Sequence, residues 1–197
     1  MNSVGQNFIR AFIAINLPQV VKTDLETFQR KLKSKIPADW VRWTAPEQIH
    51  LTLRFLGNIN IGSVPELESV LRNVCATVKP FELAAENFGW FPEGTRPRIL
   101  WVGVSGQLET LNQLAQAIIS STAKWGEPEH RQFQAHLTIG RVKTKIQTDL
   151  RKLTEILAQF KPGRFGQWQV TQIDLMQSQL YTTGPVYICI ATAPLAG

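Results

Sequence analysis

The chain has 197 residues, 44% hydrophobic and 18% charged, with a net charge of +6; this excludes a disordered or low-complexity chain and fits one domain or two small lobes around a cleft. The excess charge lies in the second half, where residues 96–197 carry 11 Lys/Arg against 6 Asp/Glu while residues 1–95 carry 10 against 9. Such a bias suits a phosphate-bearing partner, and solubility alone accounts for it equally well. The early apolar run Phe8 to Leu17 is too short for a membrane span, is broken by Arg10, and lacks a basic leader and a small-residue cleavage site, so a cytoplasmic protein with no membrane contact is expected. Cys75 and Cys189 have no Cys-x-x-Cys spacing and no third thiol beside them. A zinc site or disulfide framework is not expected on that basis, and both are read as buried free thiols.

In chain order, hydrophobic patterning predicts a strand at 8–16, a helix at 18–35, an extended piece at Trp40 to Trp43 and a strand at 50–57. Ser63, with Glu66 three residues on and Pro65 in the first turn, predicts a capping box opening a helix at 64–78. An extended segment at 81–91 runs into the turn chemistry of Pro92 to Pro97. Then follow a strand at 98–104, a helix at 107–125 with Leu108, Leu111, Ala115, Ile118 and Ile119 on one face, a strand at 133–142, a helix at 148–160 and strands at 168–178 and 185–193. The order strand, helix, strand, helix, strand occurs twice. The expected fold class is α+β: one domain made of two pseudo-symmetric lobes, approximately residues 1–92 and 93–197, each an antiparallel sheet with helices packed outside, flanking a central groove.

Two of the three histidines fall in near-identical tetrapeptides on the second and fourth of the long strands, His50-Leu51-Thr52-Leu53 and His136-Leu137-Thr138-Ile139. Chance gives such a coincidence on the order of once in 10⁵. Alternation along a strand points His and Thr the same way and the aliphatic residues into a core, so each copy presents an imidazole beside a hydroxyl. A lone histidine in an apolar strand is ordinarily a hydrogen-bonded core residue, but a matched pair facing a shared groove forms an acid and a base. Such a pair suits in-line displacement at phosphorus, with the threonine hydroxyls donating to non-bridging oxygens. The spacing does not say which histidine is which. No His-x-His pair, Glu-x-x-His helix or aspartate cluster provides metal ligands, so neither metal nor cofactor is expected.

These residues resemble the two-histidine phosphoesterases, and within them the bacterial and archaeal RNA 2′,3′-cyclic phosphodiesterase branch, historically called 2′-5′ RNA ligase. The likeness covers most of the chain: Arg10 to Pro18 resembles the opening strand, Val41-Arg42-Trp43 and His50 to Gly57 the first motif with its lead-in, Phe91 to Val104 the mid-chain turn and strand, and His136 to Arg141 the second motif. Ala135 departs from the proline frequent at that place in the family. The resemblance implies hydrolysis of a 2′,3′-cyclic phosphate at an RNA or oligonucleotide end to a 2′-phosphomonoester, with His50 as proton donor to O3′, His136 as proton acceptor, and Thr52 and Thr138 on the phosphate oxygens. The expected partner is an RNA end and the expected state a monomer.

The repeat itself adds a pair. Five residues after each histidine stand Phe55 and Arg141, which pseudo-symmetry sets on opposite walls, where they would bind substrate by holding a nucleobase between ring and guanidinium. The odd offset argues instead for a core Phe55 and a surface Arg141 unless the strands bend. Trp43 leads into the first motif and is the tryptophan to watch; Arg54 and Arg131 are read as solvated charges and His130 as a surface loop residue. Three other functions stay open: a small cyclic nucleotide as substrate, the reverse joining reaction, and a nucleotide- or RNA-binding module without turnover.

Overall fold

In the computed structural model, which describes residues 7–128, 132–182 and 184–196, Val21, Leu25, Phe28 and Leu32 recur at helical spacing and form the buried side of α1 (Gln19–Lys33). The same spacing buries Leu67, Leu71 and Cys75 in α2 (Val64–Cys75), Leu111, Leu114, Ala115 and Ile118 in α3 (Leu108–Ser121), and Leu150, Leu153 and Leu157 in α4 (Gln147–Ala158). These faces close on a sheet made of β1 (Phe8–Asn16), β2 (Val41–Trp43), β3 (His50–Asn60), β4 (Phe81–Phe91), β5 (Ile99–Gly106), β6 (His136–Val142), β7 (Arg164–Val170), β8 (Gln172–Tyr181) and β9 (Gly184–Pro194). The strand order is β7-β4-β5-β6-β3-β1-β8-β9, with β2 added to β6. All pairings are antiparallel. The class is α+β, as expected.

The two lobes are the sheet halves β7-β4-β5-β6 and β3-β1-β8-β9, joined where β3 meets β6 at the single pair Leu51 and Leu137. One half is built from the middle of the chain, β4 to β7, and the other from its two ends, β1 and β3 with β8 and β9. β4 pairs with β5 across the short turn after Phe91, and β8 pairs with β1. A tight turn closes an antiparallel hairpin, so the strand before residue 92 joins the strand after it rather than staying with β1. The spatial lobes therefore do not coincide with residues 1–92 and 93–197.

Three local expectations change. The strands at 168–178 and 185–193 are three strands, because the extended run breaks at Thr171: β7 pairs with β4 in one lobe and β8 with β1 in the other. No turn residue marks that break. The capping box at Ser63 does not form, since Ser63 is itself helical and makes no side-chain cap bond. A 3-10 turn, Ile61–Ser63, precedes α2 and is capped by Asn60, whose side chain accepts from the Gly62 amide at 2.8 Å, while Glu66 pairs with Lys124. Cys75 is a buried free thiol, but Cys189 is exposed, because it lies on the edge strand β9.

Candidate active site

Opposite residues of an antiparallel pair share a face. The Leu51–Leu137 pairing, continued one step each way, sets His50 across from Thr138 and Thr52 across from His136. Leu51, Leu53, Leu137 and Ile139 are buried in the core, so alternation turns both histidines and both threonines to the other face, where all four are half-buried. The structure thus gathers the four residues of the two tetrapeptides into one patch at the seam between lobes.

Both imidazoles are anchored alike. His50 Nδ1 lies 2.7 Å from the Gln48 carbonyl oxygen and His136 Nδ1 lies 2.7 Å from that of Gln134. A carbonyl oxygen only accepts, so Nδ1 carries the hydrogen and Nε2 keeps its lone pair when the ring is neutral. Burial pushes His50 down to about 4; the Gln48 carbonyl opposes this, and the charges of Lys22 and His136 add to it. His136 is also held below the ordinary histidine value, by burial first and by Arg141, against the pull of Gln134.

Their aromatic neighbours differ. Phe12 stacks on His50 with centroids 4.7 Å apart and planes 27° apart, and Tyr187 meets the same ring edge-on at 5.3 Å. His136 and Phe91 are T-shaped to each other at 5.4 Å. Phe91 lies 5.1 Å from Trp101, which pairs with Thr138 across β5 and β6. A Cβ on Gly89 would collide with the Trp101 ring, so this strand residue has to be glycine for the indole to lie flat there. Phe12, Phe91, Trp101 and Tyr187 were not singled out by the sequence, because they come from strands whose pairing with the motif strands it does not show.

The odd offset of Phe55 and Arg141 is cancelled by two matching irregularities. The β1–β3 register slips between Thr52 and Arg54, and the β5–β6 register slips between Thr138 and Gly140. Each bulge inserts one residue and reverses the alternation. Phe55 is consequently opposite Phe12 and exposed, and Arg141 is opposite Ile99 and exposed. The two bulges return both side chains to the face of the histidines.

Arg54 corrects an expectation. It is 2% exposed and donates to the carbonyls of Ile119 at 2.9 Å and Trp125 at 3.1 Å and to the Thr122 hydroxyl. The bulge that turns Phe55 outward turns Arg54 inward, onto the C-terminal end of α3. Trp43 is not in the groove: it packs against the core, beside Gly140 and with Lys33 Nζ 5.8 Å from its ring. His130 and Arg131 lie outside the described residues.

The family model for LigT-like phosphoesterases matches the chain twice, over residues 15–101 and 102–187. The chain belongs to the LigT-like phosphoesterase family. Each match holds one His-x-Thr tetrapeptide, so the sequence repeat and the paired half-sites of this family member are the same feature. It is 32% identical to an RNA 2′,3′-cyclic phosphodiesterase of Methanothermobacter thermautotrophicus over 91% of this chain and 95% of that one. It is 31% identical to the Aquifex aeolicus protein of the same name, over 96% and 98% of the two chains. Among solved structures, a Thermus thermophilus protein superposes with a TM-score of 0.78 at 25% identity, covering 96% of this chain and 99% of that one. Apo E. coli LigT gives 0.77 at 23% identity over 98% and 100%, a likeness of fold.

Proposed function

We propose that this protein hydrolyses 2′,3′-cyclic phosphates at RNA ends to 2′-phosphomonoesters by two-histidine acid–base catalysis without a metal, acting as a cytoplasmic monomer. The observation that carries the reading is the patch at the lobe seam: two imidazoles with free Nε2 atoms, each across the strand pair from the other motif's hydroxyl. Relatives about 30% identical over nearly the whole chain bear the name of this activity.

His136 Nε2 takes a proton from water as the water oxygen bonds to phosphorus. The bond from phosphorus to O3′ breaks, and O3′ takes its proton from His50. Thr52 and Thr138 donate to the non-bridging oxygens, where charge accumulates. Phe55 and Arg141, both on this face, hold the terminal base. In the free protein burial keeps His50 largely uncharged near neutrality, and the substrate's anionic phosphate favours the imidazolium once bound. Substrate binding therefore charges the acid.

The test is incubation with a short RNA ending in a 2′,3′-cyclic phosphate, with chelator present. The expected product is the 2′-phosphate. A 3′-phosphate, or activity lost to chelator and restored by a divalent ion, refutes the mechanism.

A further inference from the structure

The two half-sites match in imidazole, threonine and carbonyl anchor, yet only one has a phenol. His136 stands T-shaped to Phe91, a ring without a hydroxyl. His50 is met by Tyr187, edge-on at 5.3 Å and 87°, and the same ring packs edge-on against Phe12 at 5.0 Å. Tyr187 pairs with Ser178 across β8 and β9 and belongs to the small cluster of Phe12, Ala14 and Met176, which is separate from the helix-covered core.

Tyr187 is half-buried, and among the described residues nothing hydrogen-bonds its hydroxyl. The nearby Tyr181 differs, since its hydroxyl donates to Gln179 at 2.7 Å. A tyrosine with a packed ring and an unused hydroxyl is apolar at one end and a donor at the other. Here the ring packs beside His50, and the hydroxyl has no hydrogen-bond partner among the described residues.

We propose that the Tyr187 hydroxyl is a third hydroxyl donor to the substrate phosphate, supplied only by the His50 half-site. This deepens the phosphodiesterase reading and rests on it. Thr52 and Thr138 are related by the repeat and treat the two ends of an in-line displacement alike. Tyr187 has no counterpart beside His136, so it weights the groove towards the His50 side, where the leaving oxygen is to be held.

Tyr187→Phe keeps the ring against His50 and Phe12 and removes one oxygen. Inorganic phosphate is titrated into the full-length wild type and variant, and the pH profile of kcat/KM is measured on the cyclic-phosphate RNA. The expected result is a phosphate Kd raised about tenfold and kcat/KM lowered on the order of 10- to 100-fold, the span of one hydrogen bond to a charged group. The limbs of the pH profile stay in place, because the ring still covers His50. Phosphate affinity and kcat/KM both within about twofold of wild type overturn the proposal. So does a moved limb with phosphate affinity intact, which assigns Tyr187 to packing alone. A wild type that binds phosphate but hydrolyses nothing ends the phosphodiesterase reading, and the Kd comparison still decides the role of the hydroxyl.

Discussion

A neutral imidazole whose Nδ1 hydrogen is tied to a carbonyl has only Nε2 left for chemistry, and this holds at both His50 and His136. Their depressed pKa values fix the direction of two pH effects. The proposed catalysis needs His50 charged and His136 uncharged. With His50 at about 4 and His136 below the ordinary 6.5 in the free protein, kcat/KM is expected to peak between those limits and fall towards neutrality. The kcat profile is expected at higher pH, since bound phosphate favours the imidazolium; a kcat/KM plateau above about pH 7 contradicts the assignment. Stability follows the same groups. Between 6.5 and about 4 the unfolded chain binds protons at His50 that the folded protein does not, so stability present above 6.5 is lost as pH falls. Melting temperature is expected to drop across that window, and less steeply in His50→Gln. The four residues of the candidate site were legible in the sequence because strand alternation alone puts His50 beside Thr52 and His136 beside Thr138. Phe12 and Tyr187 were not, because they reach His50 only through pairings of β1, β8 and β9.

At the scale of elements, two one-residue bulges decide what joins the site. A bulge leaves no mark in composition, so the faces of Phe55, Arg141 and Arg54 were not readable from their offsets. The second bulge is held in place by neighbouring groups: the Ile139 carbonyl accepts from the Thr44 amide at 3.0 Å and from Gln29 Nε2 at 2.8 Å. Beside the first, the Arg54 guanidinium ties β3 to the end of α3. Arg54→Ala strips donors from the Ile119 and Trp125 carbonyls and the Thr122 hydroxyl. An unsatisfied buried acceptor costs about 1–3 kcal/mol, so a loss of about 3 kcal/mol in urea unfolding is expected. A variant within about 0.5 kcal/mol of wild type contradicts the clamp.

At the scale of the whole molecule, the two sheet halves pair at one residue pair at the seam, but each draws strands from both sequence halves of the chain. β4 needs β5, and β1 needs β8. The repeat was visible in the sequence; the exchange of strands was not, because the same order of elements fits either pairing. A fragment ending at residue 92 leaves β1 and β4 without those partners, and it is expected to show no cooperative melt by circular dichroism. The seam is also where the proposed chemistry sits, so removing either histidine removes one of its two proposed proton-transfer groups. The decisive measurement is hydrolysis of a 2′,3′-cyclic phosphate RNA by wild type, His50→Ala and His136→Ala in chelator. The account expects a 2′-phosphate from wild type and a loss of at least about 100-fold in each variant. Either variant turning over at the wild-type rate contradicts it.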